Sequence, residues 1–203
     1  MKIAIIGAGN VGRALGGAWR TDHDITYGVR SPDDAKYADL DAPATTNDAA
    51  VAGSDVVVLC TPWQGTEAAV KACGDVSGKV LIDCTNPLTP DFSALEVGHT
   101  TSGAELIAAW APGARVCKAM NQIGAPMMDN PELPSAPVMF ICGDDDAAKR
   151  VTADLVKQLG FEPVDAGELT LARLLEPYAL VWIHMALRRG FGTNWGFGLL
   201  RGS

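Results

Sequence analysis

Gly7-Ala8-Gly9-Asn10-Val11-Gly12 sets three glycines at G-x-G-x-x-G spacing, the pattern by which a strand turns into a helix around a dinucleotide pyrophosphate. The chemistry follows from what glycine lacks. Gly7 takes the tight turn, Gly9 lets the backbone approach phosphate oxygens, and Gly12 lets the helix lie close on the strand. The first helical amides and the positive end of the helix dipole complete an anion site. Ala8, Asn10 and Val11 fill the intervening positions and are expected to touch the same ligand.

Which dinucleotide is bound is read some 20 residues further on, where an NAD site places an acid for the ribose 2′-hydroxyl. That position is Val29, and Arg30 and Ser31 follow it. A guanidinium fork beside a hydroxyl suits a 2′-phosphate, so NADP is the expected cofactor, although Asp33 and Asp34 close by oppose it. Ser31 also reads as a helix N-cap. Three further segments combine hydroxyls, amides and rigid turns: Thr61-Pro62-Trp63-Gln64, Thr85-Asn86-Pro87 and Asn121-Gln122-Ile123-Gly124-Ala125. Thr61, Pro62, Trp63, Asn86 and Ala125 are the candidates there for the nicotinamide and its ribose.

These groups need strands that end at one edge. Met1–Ile6, Ile25–Tyr27, Asp55–Cys60, Lys79–Asp83, Arg115–Met120, Val138–Cys142 and Phe161–Asp165 read as strands. Helices are expected after the glycine loop, from Ser31-Pro32-Asp33-Asp34, over Glu67–Cys73, from a Ser102/Glu105 capping box to Trp110, over Ala147–Leu159, and from about Leu169 onward. Asp144, Asp145 and Asp146 suit the first turn of the fifth of these as dipole-complementing caps rather than metal ligands. Continuous apolar strands alternating with helices predict an α/β, Rossmann-type doubly wound, mainly parallel sheet. A small C-terminal α/β extension is expected to end in a helix and a Gly/aromatic tail. Residues 1–125 are read as the NADP-binding part and 126–203 as an extension over the hydride-acceptor site, packed with it as one compact unit.

The bulk numbers exclude other classes. The 203 residues carry a net charge of −8, against a nucleic-acid partner. No stretch reaches transmembrane length, and the chain opens directly on a strand rather than a signal peptide, so a cytoplasmic, non-membrane protein is expected. Five cysteines form no C-x-x-C or Cys/His cluster and read as reduced, mostly buried thiols. His23, His99 and His184 are isolated: His23 reads as surface, His99 as a loop residue near the ligand edge, and His184 as a core residue. No nucleophile–base pair and no paired carboxylates appear, so no catalytic side chain is assigned.

Several segments resemble one known family, the coenzyme F420-dependent NADP oxidoreductases, which are similar to the cytosolic oxidoreductase part of the STEAP metalloreductases. The matching residues are Gly9-Asn10, Gly28 with Arg30, Thr61-Pro62-Trp63, Ser102–Ile107, Ala119–Ala125, Cys142-Gly143-Asp144-Asp145-Asp146, Asp165-Ala166-Gly167 with Ala172-Arg173-Leu174, and Trp195-Gly196-Phe197. The resemblance implies reversible hydride transfer between NADP(H) and a deazaflavin or flavin. It implies that Ala8, Gly9, Asn10, Val11 and Arg30 bind NADP, that Thr61 and Ala125 lie near the nicotinamide half, and that Trp195 meets the second cofactor. The chain departs from the family at Val29, where Ser is usual, at Asp34, where Lys is usual, and at Gly65 and Asn121, where archaeal members carry His. Arg188-Arg189 either complements the end of the last helix or meets an anionic tail of the acceptor. Phe191, Trp195 and Phe197 either cover the acceptor ring or seal a core or dimer interface.

The expected function is therefore an NADP-dependent oxidoreductase with a small-molecule, flavin-like partner, coenzyme F420 first, acting as a homodimer. A non-catalytic NADP-binding redox sensor or assembly module, and an NADPH-dependent flavin or metal reductase, are the alternatives.

Overall fold

A computed structural model describes residues 1–129 and 131–202. Eight strands form one sheet. They are β1 (Lys2–Ile6), β2 (Asp24–Gly28), β3 (Ala44–Thr45), β4 (Val56–Leu59), β5 (Val80–Asp83), β6 (Arg115–Lys118), β7 (Val138–Gly143) and β8 (Glu162–Gly167). Their order is β3-β2-β1-β4-β5-β6-β7-β8. All neighbours are parallel except β6 and β7. This is the doubly wound α/β architecture read from the strand–helix alternation. The strand order reverses between β1 and β4, and ligand crevices open at such points. The expected boundary near residue 125 falls between β6 and β7, which are hydrogen-bonded neighbours.

Helices cover both faces: α1 (Asn10–Trp19), α2 (Asn47–Ala52), α3 (Trp63–Lys71), α4 (Gly103–Trp110), α5 (Asp146–Gln158) and α6 (Ala172–Arg188). Alternation along the strands divides the core. Ile3, Ile5, Val56, Val58 and Ile82 pack with Leu15 and Trp19 of α1 and with Leu155 and Val156 of α5. Ala4, Ile6, Val57, Leu59 and Leu81 pack with residues of α2, α3 and α4 on the other face. The indole N–H of Trp19 donates to the Leu155 carbonyl at 3.2 Å, tying the first helix to the fifth. Helix α6 contributes Leu175 to one layer and Trp182 to the other, so it crosses from face to face.

Five local expectations are corrected. Ser31–Asp34 does not open an α-helix; only a 3-10 turn forms, at Ala35–Tyr37, where Asp34 accepts from the Lys36 amide at 3.1 Å. The segment lacks an apolar face at helical spacing, and Asp34 caps a local turn instead. The strand β3 and helix α2 beyond it are short elements without a strong periodic signal. Helix α3 begins at Trp63 rather than Glu67, because Pro62 supplies the extended residue before it. Trp63 and Gln64 therefore stand on a helical first turn, not in a loop. Of the three consecutive acids, Asp145 caps α5 by accepting from the Ala148 amide and Asp146 lies in its first turn. Asp144 instead accepts from the Leu169 amide at 2.8 Å. His184 is exposed on α6 rather than in the core, and His23 is half-buried, paired with Gln158 at 2.8 Å. No helix among the described residues is long and apolar enough to cross a membrane.

Candidate active site

The glycine loop has the shape its spacing implies. Gly7 adopts φ +102°, and a methyl there would fall 2.9 Å from the Cys60 carbonyl oxygen. At Gly12 a methyl would fall 2.0 Å from the Gly7 oxygen, so helix and strand touch through that hydrogen. At Gly9 nothing lies within 4 Å, so the loop is open above it. Gly9 is the N-cap of α1, and neither a capping side chain nor a first-turn acid occupies that helix end. Its amides are left facing the cleft, as an anion requires.

Three adjoining cavities run along the carboxyl edge of the sheet. The first, about 550 Å³, lies beyond β2 and is lined by Gly28, Val29, Arg30, Ser31, Lys36 and Asn47, among others. The second, about 370 Å³, lies over Gly7, Ala8 and Gly9, with Arg13, Lys36 and Cys60. The third, about 660 Å³, is lined by Asn10, Val11, Trp63, Cys84, Thr85, Asn86, Phe92, Ala125 and Leu187. Thr61 lines the first and third, and Pro62 all three. The lobes thus form one cleft about the β1–β4 crossover.

Thirteen of the expected site residues line it: Gly7, Ala8, Gly9, Asn10, Val11, Val29, Arg30, Ser31, Thr61, Pro62, Trp63, Asn86 and Ala125. Trp195 does not. Its ring stacks on Trp182 at 5.5 Å, and its carbonyl accepts the Trp182 indole N–H. Trp182 in turn presses on Gly124, where a methyl would meet the ring at 2.5 Å. Trp195 therefore stands one layer behind the turn that carries Ala125.

Sequence reasoning missed Lys36, Arg13, Phe92 and Leu187. Lys36 sits two residues beyond Asp34 and lines both the first and second lobes. Its ammonium pairs with Asp34 at 2.9 Å; the hydrogen bond between them raises the lysine and lowers the aspartate from their ordinary values. The cation absent at position 34 is thus present at 36. Arg13 donates to the Ala8 carbonyl at 3.2 Å and pairs with Asp39 at 3.0 Å. Both pairs are solvent-facing, so either cation can exchange its carboxylate for a bound phosphate at small cost. The spacing Gly9 to Arg13 on α1 was the available signal for Arg13. Phe92 and Leu187, half or more exposed, carry no such signal, because they meet only when α6 returns to the sheet edge.

Behind the third lobe the chain is tightly ordered. Asn86 donates to the Asn121 carbonyl at 2.8 Å, and the Asn121 amide donates back to Asn86 Oδ1 at 3.0 Å. Lys118, fully buried, donates to Asp83 at 2.7 Å, Glu176 at 2.9 Å and the Thr85 carbonyl at 2.6 Å. Burial alone would depress its pKa, but the two carboxylates outweigh burial and raise it. Cys60 and Cys84 follow the register pair Leu59 and Asp83 and are both free thiols. The hydrogen bond with the neighbouring Cys60 thiol and burial push Cys84 well above its usual value, which suits an inert Cys84 rather than a nucleophile.

The residues present fit an NADP-type ligand. An open glycine cradle and an uncapped helix end suit a pyrophosphate, and Arg30, Ser31, Lys36 and Arg13 supply the donors a further phosphate needs. No carboxylate stands at position 29.

A family profile described as NADP oxidoreductase, coenzyme F420-dependent, matches residues 2–87. The F420-dependent NADP reductase of Methanothermobacter thermautotrophicus is 30% identical over 210 residues, covering 93% of this chain and 90% of that protein. The metalloreductase STEAP3 of Rattus norvegicus is 28% identical over 184 residues, covering 88% of this chain but 36% of that protein. The chain thus spans about a third of that relative's length. A crystal structure from Arthrobacter sp. FB24, assigned by its name to the F420-dependent NADP-reductases, superposes with a TM-score of 0.90 at 31% identity. That match covers 99% of this chain and 100% of that one.

Proposed function

The chain belongs to the F420-dependent NADP oxidoreductase family, and from that premise we propose that it moves a hydride between NADP(H) and a planar flavin-like acceptor, with coenzyme F420 the first candidate. The observation that carries this reading is the single three-lobed cleft, with phosphate-type donors at one end and apolar lips at the other.

In this reading the loop from Gly7 to Gly12 and the first-turn amides of α1 hold the pyrophosphate. Arg30, Ser31, Lys36 and Arg13 hold the 2′-phosphate, with Val29 in the wall of that lobe. Thr61, Pro62, Trp63, Asn86 and Ala125 wall the nicotinamide lobe. When bound, NADPH supplies the hydride. The protein's own task is to align two rings and exclude water, since no acid–base pair is required. Phe92 and Leu187 form the lips against which a flat acceptor rests. Arg188 donates to the Asp91 carbonyl at 3.1 Å and so ties the Phe92 strap to the end of α6.

Anaerobic mixing with NADPH and F420, FMN or FAD, followed by absorbance, tests the proposal. Loss of the dihydronicotinamide absorbance of NADPH together with acceptor reduction is the expected result. Tight NADPH binding without transfer to any of the three would overturn the enzyme and leave a binding module.

A further inference from the structure

We infer that the buried cluster of Asp83, Lys118 and Glu176 sets the balance between the two redox forms of the cofactor: it positions the wall of the third lobe and places a net negative charge behind it. The inference rests on the reading that the nicotinamide occupies that lobe.

Lys118 has three N–H donors, and all three are used inside the protein, on Asp83 Oδ2, Glu176 Oε1 and the Thr85 carbonyl. Asp83 Oδ1 accepts the Thr85 amide at 2.8 Å. Both backbone groups of Thr85 are thus held by charged partners, and Thr85 lines the third lobe. Its hydroxyl is buried without a partner, a rare condition in a packed protein. Glu176 reaches its place from the second turn of α6 and also accepts the Gly103 and Ala104 amides at 3.0 and 3.1 Å, capping α4.

Two carboxylates and one ammonium sum to −1. The start of α4 offsets about half a charge, so a negative remainder stays in a region from which water is excluded. NADPH and NADP+ differ in this lobe by one positive charge on the nicotinamide ring. Buried negative charge therefore favours the oxidised form, which a purely structural cluster would not do. For one unit charge removed at such depth the affinity ratio shifts by about three- to tenfold.

The test is to titrate NADPH and NADP+ separately into wild type, E176Q and the double variant K118M/E176Q, with thermal melting to confirm folding. E176Q is expected to raise the ratio of the NADP+ to the NADPH dissociation constant about three- to tenfold. The double variant leaves Asp83 buried without a counter-ion, where it takes up a proton and carries no net charge, so its ratio is expected to match that of E176Q rather than the wild type. D83N makes the same charge change from β5, and the same outcomes apply to it should E176Q fail to fold. A folded variant of either kind with an unchanged ratio overturns the inference. Wild-type protein that binds neither form would instead overturn the parent reading of the cleft.

Discussion

Arg30 is exposed, and among the described residues it makes no ion pair. A guanidinium left without a carboxylate beside a cleft that also holds Ser31 and Lys36 is placed for an anion. Hydrogen bonds to charged groups contribute about 1.5–3 kcal/mol, or roughly ten- to hundredfold in affinity. Arg30→Ala is therefore expected to weaken NADPH by at least tenfold and NADH far less, as read by fluorescence titration. Lys36→Ala is expected to act in the same direction and less strongly, because Asp34 already competes for that ammonium. Equal losses for both dinucleotides in either variant would remove these residues from the 2′-phosphate. Arg30 was legible from the chain because its position follows from the length of one strand–helix–strand unit. Lys36 was not, since its reach into the cleft depends on how the loop from 31 to 43 folds back.

Among the elements, α6 has the most to reveal. Its second turn caps α4 through Glu176, and its first turn meets α4 again where Arg173 Nε donates to Glu105 at 2.8 Å. The Arg173 hydrogen bond holds the Glu105 carboxyl below its ordinary value. A depressed folded-state pKa contributes stability above the unfolded value of about 4.3, and that contribution is lost as pH falls through the lower, folded value. The melting temperatures of wild type and Glu105→Gln should thus differ by a constant amount from pH 6 to 8, and the difference should shrink progressively once the pH falls below the unfolded value of about 4.3. A difference that persists unchanged at acid pH would show that the pair adds nothing. At its other end α6 offers Leu187 to the cleft opposite Phe92. Fully burying a leucine contributes about 1.5–3 kcal/mol, so partial cover of a ring by Leu187 amounts to roughly three- to tenfold. Leu187→Ser is expected to raise the acceptor KM by that factor and to leave the NADPH dissociation constant alone; a change confined to NADPH would place Leu187 elsewhere in the reaction. The capping box at Ser102 was legible from spacing. That Glu105 bonds the Ser102 hydroxyl at 2.7 Å, and turns its remaining capacity to Arg173, was not.

Across the whole molecule the eight strands form a continuous sheet, and Trp19 on α1 bonds Leu155 on α5. With no break in that sheet, calorimetry is expected to show a single transition; two would show that residues 1–125 and 126–203 unfold separately. NADPH at about a hundred times its dissociation constant adds ~2.7 kcal/mol, which should raise that transition by roughly 5–10 °C. The expected homodimer is checked by sedimentation, where a species of one chain's mass would overturn it.

Most of the strand–helix alternation, the glycine loop and the presence of a cation just after β2 were legible in the sequence alone, while β3, α2 and the 3-10 turn at Ala35–Tyr37 were not. Alternating and helical periodicities, and glycine's freedom at Gly7, act over a few residues and need no knowledge of the rest of the chain. The tertiary structure alone decided what stands behind the cleft's far wall. Asp83, Lys118 and Glu176 each read as an ordinary charged residue within a strand or helix. Only the arrival of α6 at the ends of β5 and β6 removes them from water, and a buried charge takes its meaning from partners that local spacing does not encode. Trp195, whose place behind Trp182 depends on that same helix, is the corresponding case for an aromatic residue.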